Sequence, residues 1–595
     1  MATGKIKVNT ENIFPIIKKW LYSDRDIFIR ELISNGCDAM TKRKKLAVMG
    51  QMAAPEGEYS VTLTVDKENK TLVFSDNGIG MSADEIKKYI TQVAFSGAQE
   101  FLEQYGEDDK EKESDIIGHF GLGFYSAFMV ADVVEIDSLS GAEGAAAAHW
   151  SCDGGVDYKI GSGKKKLLGT DITLHITPDN EDFLDYANVL SVVKKYCSFL
   201  PYNIYVTEAG KDEEKAPVNN PNPLWLKKPS DCTDEEYKQF YTEVFHDFEE
   251  PLFYIHLNVD YPFNLKGILY FPKIKHELSG NEGQIKLYNN QVFVADNIKE
   301  VIPEYLMLLK GCIDCGDLPL NVSRSFLQND GYVKKVSAHI TKKVCDKLSG
   351  MFKNDRSQYE GYWDDINPFI KFGCMKDESF YDKMSEYLLF KTTDDEYLTL
   401  AQLLEGNEDK KIIYVSDPLA QAQYITMLKA ANQRAVILPY GIDSYFINFM
   451  EFKNQDVKFS RIDAGILDDM ADKDAYKDEK LVALFKKAIG DDNLNAECMR
   501  LKDPDTPAII TVDEQQRRMS ESSIFMGINT GLAVQRSVVL NLGNPVVQKL
   551  TEDNADAELL CNYIYDLAVL AHGSMTSEQM TGFLKNANKV MGKMI

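Results

Sequence analysis

Three polar side chains occupy the middle of the otherwise apolar stretch IFIRELISNGCDAM at residues 27–40. Glu31, Asn35 and Asp38 are spaced at i, i+4 and i+7, so a helix places all three on one face. Two carboxyl groups and an amide among apolar neighbours are either paired structural groups or a functional site. The spacing alone does not decide between these interpretations.

A second candidate site lies where an acidic residue is followed by glycines. Asp76 ends the segment TLVFSD and begins the turn DNGIGM at residues 76–81. An acid at a strand end can point into a pocket while glycines let the backbone turn closely around a ligand. Many tight turns share the DxGxG pattern, so by itself it is weak evidence for ligand binding.

A third group consists of Gly118, Gly121 and Gly123 in IIGHFGLGFYSAFMV, which precede an apolar, helix-like run. Glycines before a helix start let backbone N–H groups approach a phosphate, and the helix dipole favours the anion. The spacing matches neither a P-loop nor a dinucleotide-binding fingerprint. The alternative interpretation is a flexible loop followed by a buried helix.

The elements that must position these residues lie in the same third of the chain. Ser23 and Asp24 are N-cap candidates for a helix that we expect to run to about Met49. Two strands joined by a turn at DKENK are expected within residues 58–80. The segment GTDITLHI at residues 169–176 alternates like a further strand.

Length and composition narrow the class of protein. A chain of 595 residues is too long for one core, so about three or four domains are expected. The formal charge of −26 repels phosphate backbones and argues against nucleic-acid binding. No apolar run approaches the ~20 residues that cross a bilayer, and the start MATGKIKVNT lacks a signal-peptide segment. We therefore expect a cytoplasmic or processed protein with no membrane partner.

Ten cysteines are scattered through the chain without the spacing of a disulfide framework. In a cytoplasmic setting they are most simply reduced, buried thiols. Cys312 and Cys315 form a CxxC pair without a second pair or a thioredoxin-like context. Coincidence is the favoured interpretation of this pair, against metal or redox chemistry.

The order of the motifs resembles the Bergerat ATP-binding fold of type II topoisomerases, histidine kinases, mismatch-repair proteins and heat-shock chaperones. A helix with E-x-x-x-N is followed by DxGxG, then GxxGxG, then GT at a strand start. The phrases YSDRDIFIRELISNGCDA, SDNGIGM and GHFGLGFYSAFMVAD closely resemble the 90-kDa heat-shock protein family. Without a long charged linker or an MEEVD-type tail, the chain resembles the bacterial high-temperature protein G branch of that family.

The resemblance implies an α+β protein with several domains. The expected parts are a Bergerat-type ATP-binding α/β sandwich at residues 1–208, a linker at 209–222, a middle α/β domain with a smaller α/β subdomain at 223–463, and a C-terminal α/β dimerisation domain at 464–595.

The resemblance also implies roles for individual residues. Glu31 would be the general base that orients the attacking water, and Asn35 would hold the Mg²⁺ that bridges the ATP phosphates. Asp76 would accept a hydrogen bond from the adenine amino group. The other implied ATP-binding residues are Asp38, Gly78, Met81, Ser96, Gly97, Gly118, Phe120, Gly121, Gly123, Phe124 and Thr170.

The polar segment near residues 91–125 corresponds to the lid that closes over ATP in the family. Phe95 stands where many members have a lysine, directly before the Ser96-Gly97 pair. The phosphate-side cation of the family is therefore missing at this position, which weakens the transfer of the lid contacts to this chain.

The segment LPLNVSRSFLQ at residues 318–328 resembles the catalytic motif of the family's middle domain. It implies that Arg324 reaches the γ-phosphate from the middle domain, with Gln328 one helical turn further on the same face. Ser325 replaces the acidic residue that is common there. Without the resemblance, an ordinary surface arginine is the preferred interpretation.

The implied partners are a second copy of the chain and client proteins. The family dimerises through its C-terminal helices, and residues 558–573 carry an apolar stripe at helical spacing. The methionines within residues 519–526 are candidates for client contacts, with core packing as the alternative. The leading prediction is an ATP-dependent chaperone of the stress response, a dimeric clamp that ATP closes and hydrolysis reopens.

Three other functions share parts of this pattern. A DNA-handling ATPase would need a basic DNA-facing surface, which the acidic composition opposes. A histidine kinase would need a phosphoacceptor helix ahead of the ATP domain, and the ATP motifs here begin near residue 31. A scaffold with an inactive pocket is opposed by the complete set of Glu31, Asn35, Asp76 and Arg324.

Overall fold

The structure is a computed structural model that describes residues 24–92, 97, 100–101, 116–118, 121–211, 216–261, 263–273, 284–297, 301–318, 320, 331–464, 478–491, 493–525, 535–550, 556–573 and 575–593. These residues form two compact units, the first holding those up to Val344 and the second those from Cys345 onward. Both units combine helices with sheets. Over the described ranges, no helix is long and apolar enough to cross a membrane.

Seven strands form the first sheet of the first unit: β1 (Ser60–Asp66), β2 (Thr71–Asp76), β3 (Ala131–Leu139), β4 (Ala148–Cys152), β5 (Tyr158–Ser162), β6 (Gly169–Ile176) and β7 (Asn203–Glu208). Their spatial order is β5-β4-β3-β6-β2-β1-β7. All neighbours are antiparallel except β1 and β7, which are parallel. Buried and less buried residues alternate along β1 and β6, so one face of the sheet points into the core.

Helices complete the core on this sheet: α1 (Ile27–Val48), α2 (Ala83–Tyr89), a 3-10 helix (Gly123–Met129), a second 3-10 helix (Pro178–Leu184) and α3 (Tyr186–Cys197). The ring of Phe28 on α1 packs edge-on against Phe74 of β2 and Phe183, at centroid distances of 6.2 and 5.0 Å. These contacts anchor α1 over the sheet.

The start of α1 differs from the sequence prediction. The helix begins at Ile27 and not directly after Ser23 or Asp24; Ser23 itself lies outside the described residues. The residue that precedes the helix, Asp26, does not cap it. Its carboxylate instead accepts hydrogen bonds from Lys195 Nζ and Tyr196 Oη of α3, at 3.1 and 3.2 Å.

A second sheet in the first unit contains β8 (Phe253–Val259), β9 (Leu265–Phe271), β10 (Ile285–Asn289), β11 (Val292–Asp296) and β12 (Lys310–Cys315), in the order β11-β10-β12-β9-β8. Helix α4 (Asp234–Phe245) packs on it, and 3-10 helices cover Leu224–Leu226, Pro229–Asp231 and Glu304–Leu308. The side chain of Gln291 donates hydrogen bonds to the carbonyl oxygens of Phe199 and Pro221, at 2.6 and 3.2 Å. This side chain ties the second sheet to the end of α3 and the segment after β7.

The CxxC cysteines both lie on β12 and both are buried. Residues three apart on a strand point to opposite faces, so Cys312 and Cys315 do not face each other. Burial raises the pKa of Cys315 to about 12. The geometry therefore agrees with coincidence and not with a redox or metal pair.

The second unit begins with a mixed α/β region. Its helices are α5 (Gly331–Asn354, which starts in the first unit), α6 (Arg356–Lys376), α7 (Glu378–Met384), α8 (Leu400–Leu404), α9 (Ala422–Ala430) and α10 (Asp443–Lys453), with a 3-10 turn at Ser385–Tyr387. The strands β13 (Leu389–Lys391) and β14 (Tyr397–Thr399) pair with each other. The strands β15 (Lys411–Val415), β16 (Val436–Ile437) and β17 (Lys458–Arg461) form a parallel sheet in the order β16-β15-β17.

The last part of the second unit contains α11 (Glu479–Ile489), β18 (Asn495–Met499), β19 (Ala508–Val512), α12 (Glu514–Phe525), β20 (Arg536–Asn541), α13 (Pro545–Leu550), α14 (Ala557–His572) and α15 (Ser577–Gly592). Its sheet has the order β18-β20-β19. Helix α14 buries Cys561, Ile564 and Ala568, and its Tyr563 ring stacks on Phe583 of α15 at 5.8 Å.

Candidate active site

Helix α1 places its polar face on the wall of a cavity of about 320 Å³. Glu31, Asn35 and Asp38 all line this cavity, as their spacing predicts. The other predicted residues on its wall are Asp76, Met81, Gly97, Gly118, Gly121, Gly123, Phe124 and Thr170. Gly78 lies beside the cavity, and the predicted residues Ser96, Phe120, Arg324 and Gln328 lie outside the described residues.

The carboxylate of Glu31 is buried and has a fixed orientation. The Nε and Nη2 atoms of Arg30, itself buried, lie 3.0 and 2.8 Å from Oε1 of Glu31. A Cβ at position 123 would lie 2.6 Å from Oε2 of Glu31, so glycine leaves the space that this carboxylate occupies. The sequence did not single out Arg30, because adjacent helix residues do not usually face each other.

Asp38 both lines the cavity and holds the glycine-rich segment in place. Its Oδ1 accepts the N–H of Ile117 and its Oδ2 accepts the N–H of Gly118, each at 2.7 Å. Hydrogen bonds from backbone N–H groups to a carboxylate are among the stronger kind. Asp38 therefore fixes the course of residues 116–118 along the cavity wall.

Asp76 ends β2 and reaches the cavity from the sheet. Its withdrawal from bulk water raises its pKa to about 7, although the N–H of Gly78 and the charge of Lys165 oppose this rise. The Gly78 N–H lies 2.8 Å from Oδ1 of Asp76. An acid whose pKa is displaced this far inside a cavity is typical of a functional site.

Ser138 connects several of the predicted residues, although no motif in the sequence indicates it. Its hydroxyl oxygen accepts the N–H of Met81 at 2.8 Å and lies 2.9 Å from the hydroxyl of Thr170. The strand register aligns Ser138, Thr170 and Asp76 in one row across β3, β6 and β2. Strand pairing over this separation cannot be read from local periodicity.

At two positions at this end of the cavity, the backbone conformation and the close packing require glycine. Gly80 has a φ of +68°, and a Cβ there would lie 1.9 Å from the carbonyl oxygen of Leu139. Gly169 has a φ of +129°, and a Cβ there would lie 2.0 Å from the carbonyl oxygen of Asp76. The turn after β2 and the start of β6 can approach this closely only without side chains.

The glycine-rich segment is followed by a shorter helix than its apolar sequence suggests. Only the 3-10 helix Gly123–Met129 forms, because β3 already begins at Ala131. The rings of Phe124 and Trp150 lie 5.9 Å apart beneath it. A long helix dipole is therefore not built here, and the N–H of Gly118 is already bound to Asp38, which leaves Gly121 and Gly123 as the candidate anion-binding glycines.

Lys42 is a further cavity residue that the sequence analysis did not name. It continues the spacing of positions 31, 35 and 38 by one more helical turn. Burial lowers its pKa, while the charges of Asp38 and Glu100 oppose that change. Glu100 also lines the cavity and is held by Lys88 Nζ at 2.6 Å, and the Lys42 ammonium lies 5.7 Å from the centre of the Phe101 ring.

The chain matches two known protein families over separate parts of its length. Residues 24–154 match the family described as histidine kinase-, DNA gyrase B-, and HSP90-like ATPase, and residues 210–595 match the family described as Hsp90 protein. The chain belongs to the Hsp90 family.

Individual relatives place the chain in the bacterial HtpG branch of the Hsp90 family. The chaperone protein HtpG of Bacteroides fragilis is 42% identical, over 93% of this chain and 85% of that protein. The HtpG of Bacteroides thetaiotaomicron is 41% identical over 94% of this chain and 85% of that protein. The HtpG of Idiomarina loihiensis is 32% identical over 96% of this chain and 95% of that protein.

Membership of the Hsp90 family confirms the predicted family, the α+β fold class and the general function. An Hsp90 protein with an HSP90-like ATPase domain is an ATP-dependent molecular chaperone. ATP is accordingly the ligand expected in the cavity of this domain, and client proteins are the expected partners.

Proposed function

We propose that this Hsp90 protein binds ATP in the α1 cavity and hydrolyses it slowly, with Mg²⁺, to drive a dimeric clamp that acts on clients. The observation that supports this best is the convergence of Glu31, Asn35, Asp38 and Asp76 on one cavity. A cavity of about 320 Å³ lies in the size range of ligand pockets.

Adenine is proposed to bind at the sheet end of the cavity. There Asp76 would accept the exocyclic amino group of adenine, with Gly78, Met81 and Thr170 around the base. The Ser138 hydroxyl supports this assignment, because it holds the Met81 backbone and the Thr170 side chain in fixed positions.

Mg²⁺ is proposed to bind to Asn35 together with the phosphates. No group of three or more His, Cys, Asp or Glu side chains in the described part of the chain could hold a metal by itself. Mg²⁺ commonly takes one or two protein oxygens and completes its shell with water and substrate phosphates. The carboxamide oxygen of Asn35 on the cavity wall suits such a site, where Mg²⁺ would neutralise phosphate charge.

Glu31 is proposed as the residue that positions the attacking water and accepts its proton. Arg30 supports this role because it holds one carboxylate oxygen of Glu31 and so fixes the direction of the other. Positioning supplies much of the catalysis in phosphoryl transfer.

The phosphates are proposed to lie against Gly118 and to meet the backbone N–H groups of Gly121 and Gly123, with Phe124 behind them. The lid near residues 91–125, with Ser96, Gly97 and Phe120, would close over them. Asp38 supports this arrangement, because it fixes the first part of the glycine segment.

Arg324 and Gln328 are proposed to complete the site from the middle domain. This part of the proposal rests on the motif NVSRSFLQ alone, since both residues lie outside the described part of the chain. An arginine that reaches the γ-phosphate would stabilise the charge of the transition state.

Homodimerisation through the C-terminal domain is proposed from the unburied apolar side chains of α14 and α15. Leu570, Leu584 and Met591 are exposed, while α14 buries the opposite stripe around Ile564. An apolar face of this kind is typical of a protein–protein interface.

Client binding is proposed for the second unit, where Phe452 and Met519 are 75% and 67% exposed. The chain is proposed to divide into domains at residues 1–208, 223–463 and 464–595, with a linker at 209–222. A cytoplasmic location without a nucleic-acid or membrane partner is proposed as well.

The decisive experiment measures steady-state ATP hydrolysis together with nucleotide binding. We expect Glu31→Ala to bind ATP and lose turnover by ~100-fold or more, since general bases contribute about 10²–10⁴-fold. Arg324→Ala should lose most of its turnover, and removal of Mg²⁺ by EDTA should stop it. Glu56→Ala, an exposed control, should behave like the wild type. Wild-type turnover in Glu31→Ala would overturn the proposed base.

A further inference from the structure

A second cavity in the first unit takes no part in the proposed ATPase. Its volume is about 530 Å³, which lies in the range of small-molecule sites. Thr41, Lys44 and Val48 of α1 form one wall, and Asn264 and Lys266 at the start of β9 form another. These α1 residues belong to a different helical face from Glu31, Asn35 and Asp38.

The charge of this cavity is unusual for such an acidic chain. Lys44, Lys45 and Lys266 contribute three ammonium groups, and Asp314 is the one carboxyl group among the described residues that line it. Lys266 and Asp314 are direct cross-strand partners on β9 and β12, so the carboxyl group belongs to the residue opposite one of the three lysines. The α1 lysines leave a positive excess in a protein whose net charge is −26.

Apolar side chains supply the rest of the cavity. Ile117, Tyr202 and Leu226 line it, and Val48 at its mouth is 84% exposed. Leaving such surfaces in water is unfavourable, and covering them is the usual driving force for binding. Positive charge beside apolar surface suits a molecule with an anionic group and an apolar body.

The second cavity and the ATP cavity have lining residues in common or in direct contact. Phe101 lines both cavities. Ile117 lines the second cavity while its N–H binds Asp38 of the first at 2.7 Å. On the far side, the Gln291 N–H donates to Asp314 at 3.0 Å. An occupant would therefore contact the wall of the ATP cavity and the second sheet at the same time.

We propose that this second cavity binds a small organic anion, an aliphatic or aromatic carboxylate or sulfonate, and that its occupancy changes the affinity for ATP. The anionic group lies near Lys44 and Lys266, and the apolar body lies against Ile117, Tyr202 and Leu226. Because coupling is reciprocal, bound nucleotide changes the affinity for the anion by the same factor. The coupling rests on the proposed ATP function, whereas the binding of the anion does not.

Binding is tested by fluorescence titration of the full-length protein with 1-anilinonaphthalene-8-sulfonate. We expect the pair Lys44→Glu with Lys266→Gln to weaken binding at least tenfold, and Lys44→Glu alone, at an exposed position, to weaken it several-fold. The matched pair Lys67→Glu with Lys159→Gln, at exposed sites elsewhere in the first unit, should stay within twofold of the wild type. Octanoate should displace the probe, and 1-octanol at equal concentration should not.

If both variant pairs bind the probe with equal affinity, the second cavity is not the binding site, and the probe binds to other exposed apolar surface of the chaperone. Displacement by 1-octanol as effective as that by octanoate would overturn the requirement for an anion. Thermal unfolding of each variant shows whether it is folded.

Coupling is tested by repeating the titration with a saturating non-hydrolysable ATP analogue. The Kd of the probe should change at least fivefold, in line with usual coupling energies. Calorimetry measures nucleotide binding in the same samples. If the analogue binds and the Kd of the probe does not change, the proposed coupling is wrong. If the analogue does not bind, the proposed ATP site is wrong, and the result on anion binding still stands.

Discussion

Buried aspartates have different partners in the two units. In the second unit, Asp443 is 2% exposed and accepts from Lys371 Nζ at 2.5 Å. In the first unit, Asp38 is 7% exposed and accepts the N–H groups of Ile117 and Gly118 at 2.7 Å each. Asp443 meets a side-chain cation from another helix and the N–H of Tyr440, whereas Asp38 holds a glycine-rich backbone at a cavity wall.

Burial alone therefore does not identify a functional acid. The pair of Arg461 and Asp463 repeats the pattern of Asp443, with the guanidinium Nε and Nη2 atoms 2.7 and 2.6 Å from the two carboxylate oxygens. Such pairs satisfy buried charge within the fold. An acid that binds a glycine segment instead couples the cavity to a backbone that can meet a ligand.

The largest effect is expected when the buried pair of the second unit is broken. Asp443→Ala leaves Lys371 buried without its carboxylate and should cost about 3–5 kcal/mol of unfolding free energy. Urea denaturation measures this loss, and calorimetry should show an unchanged Kd for ATP. The double variant Lys371→Met with Asp443→Leu should recover most of the stability. A large loss of ATP affinity in Asp443→Ala would contradict the distinction between the two kinds of acid.

The next effect is expected at Asp38. Asp38→Asn retains one acceptor oxygen for two N–H groups. The loss of one hydrogen bond should lower the local unfolding free energy by about 1–3 kcal/mol. Hydrogen exchange at the amides of Ile117 and Gly118 should accelerate, and ATP affinity should fall about tenfold. Asp84→Asn, at an exposed position on α2, is the control. Unchanged exchange at both amides would show that Asp38 does not hold this segment.

A smaller effect is expected from the titration of Asp76. Its pKa of about 7 in the folded protein exceeds the value of ~3.9 expected in the unfolded chain. The folded state therefore binds this proton more tightly, so the stability that it contributes is complete below about pH 4 and is lost as pH rises through 7. The slope is at most about 1.4 kcal/mol per pH unit.

Denaturant unfolding at pH 5, 6, 7 and 8 measures this slope. Asp76→Asn cannot titrate, so its unfolding free energy should depend less on pH than that of the wild type. Identical pH dependence in the two proteins would mean that Asp76 does not titrate near neutrality.

The smallest effect is expected at Ser138. Ser138→Ala removes the acceptor of the Met81 N–H and the partner of the Thr170 hydroxyl. This should lower the unfolding free energy by about 1 kcal/mol. Calorimetry should show ATP affinity about fivefold lower, with turnover at saturating ATP unchanged. Ser162→Ala, exposed on β5, controls for the loss of a hydroxyl. A fall in turnover larger than the fall in affinity would assign Ser138 a role beyond positioning.

Local periodicity sufficed to predict the part of the site that one helix carries. Glu31, Asn35 and Asp38 share a wall because the helix repeat requires it. The strand that ends at Asp76 and the strand that begins at Gly169 were also visible as alternation. The α+β class followed from the resemblance of the motifs.

The rest of the site depends on contacts that local patterns do not encode. Ser138 meets Thr170 only because β3 pairs with β6 in one register. Arg30 binds Oε1 of Glu31 through two nitrogen atoms, although adjacent helix residues do not usually face each other. The helix α1 begins at Ile27, and the carboxylate of Asp26 before it binds Lys195 and Tyr196 of α3. The roles of Arg324 and Gln328 remain predictions from the motif.

The parallel pairing of β1 with β7 sets the order of events while the chain is being made. The hydroxyl oxygens of Thr64 and Thr207 lie 3.0 Å apart and belong to residues 143 positions apart. At about 5–20 residues per second, β1 leaves the ribosome roughly 7–30 s before its edge partner exists. During that interval the edge of β1 is open to other chains. A chaperone of this architecture therefore passes through an early period in which it is itself exposed to aggregation.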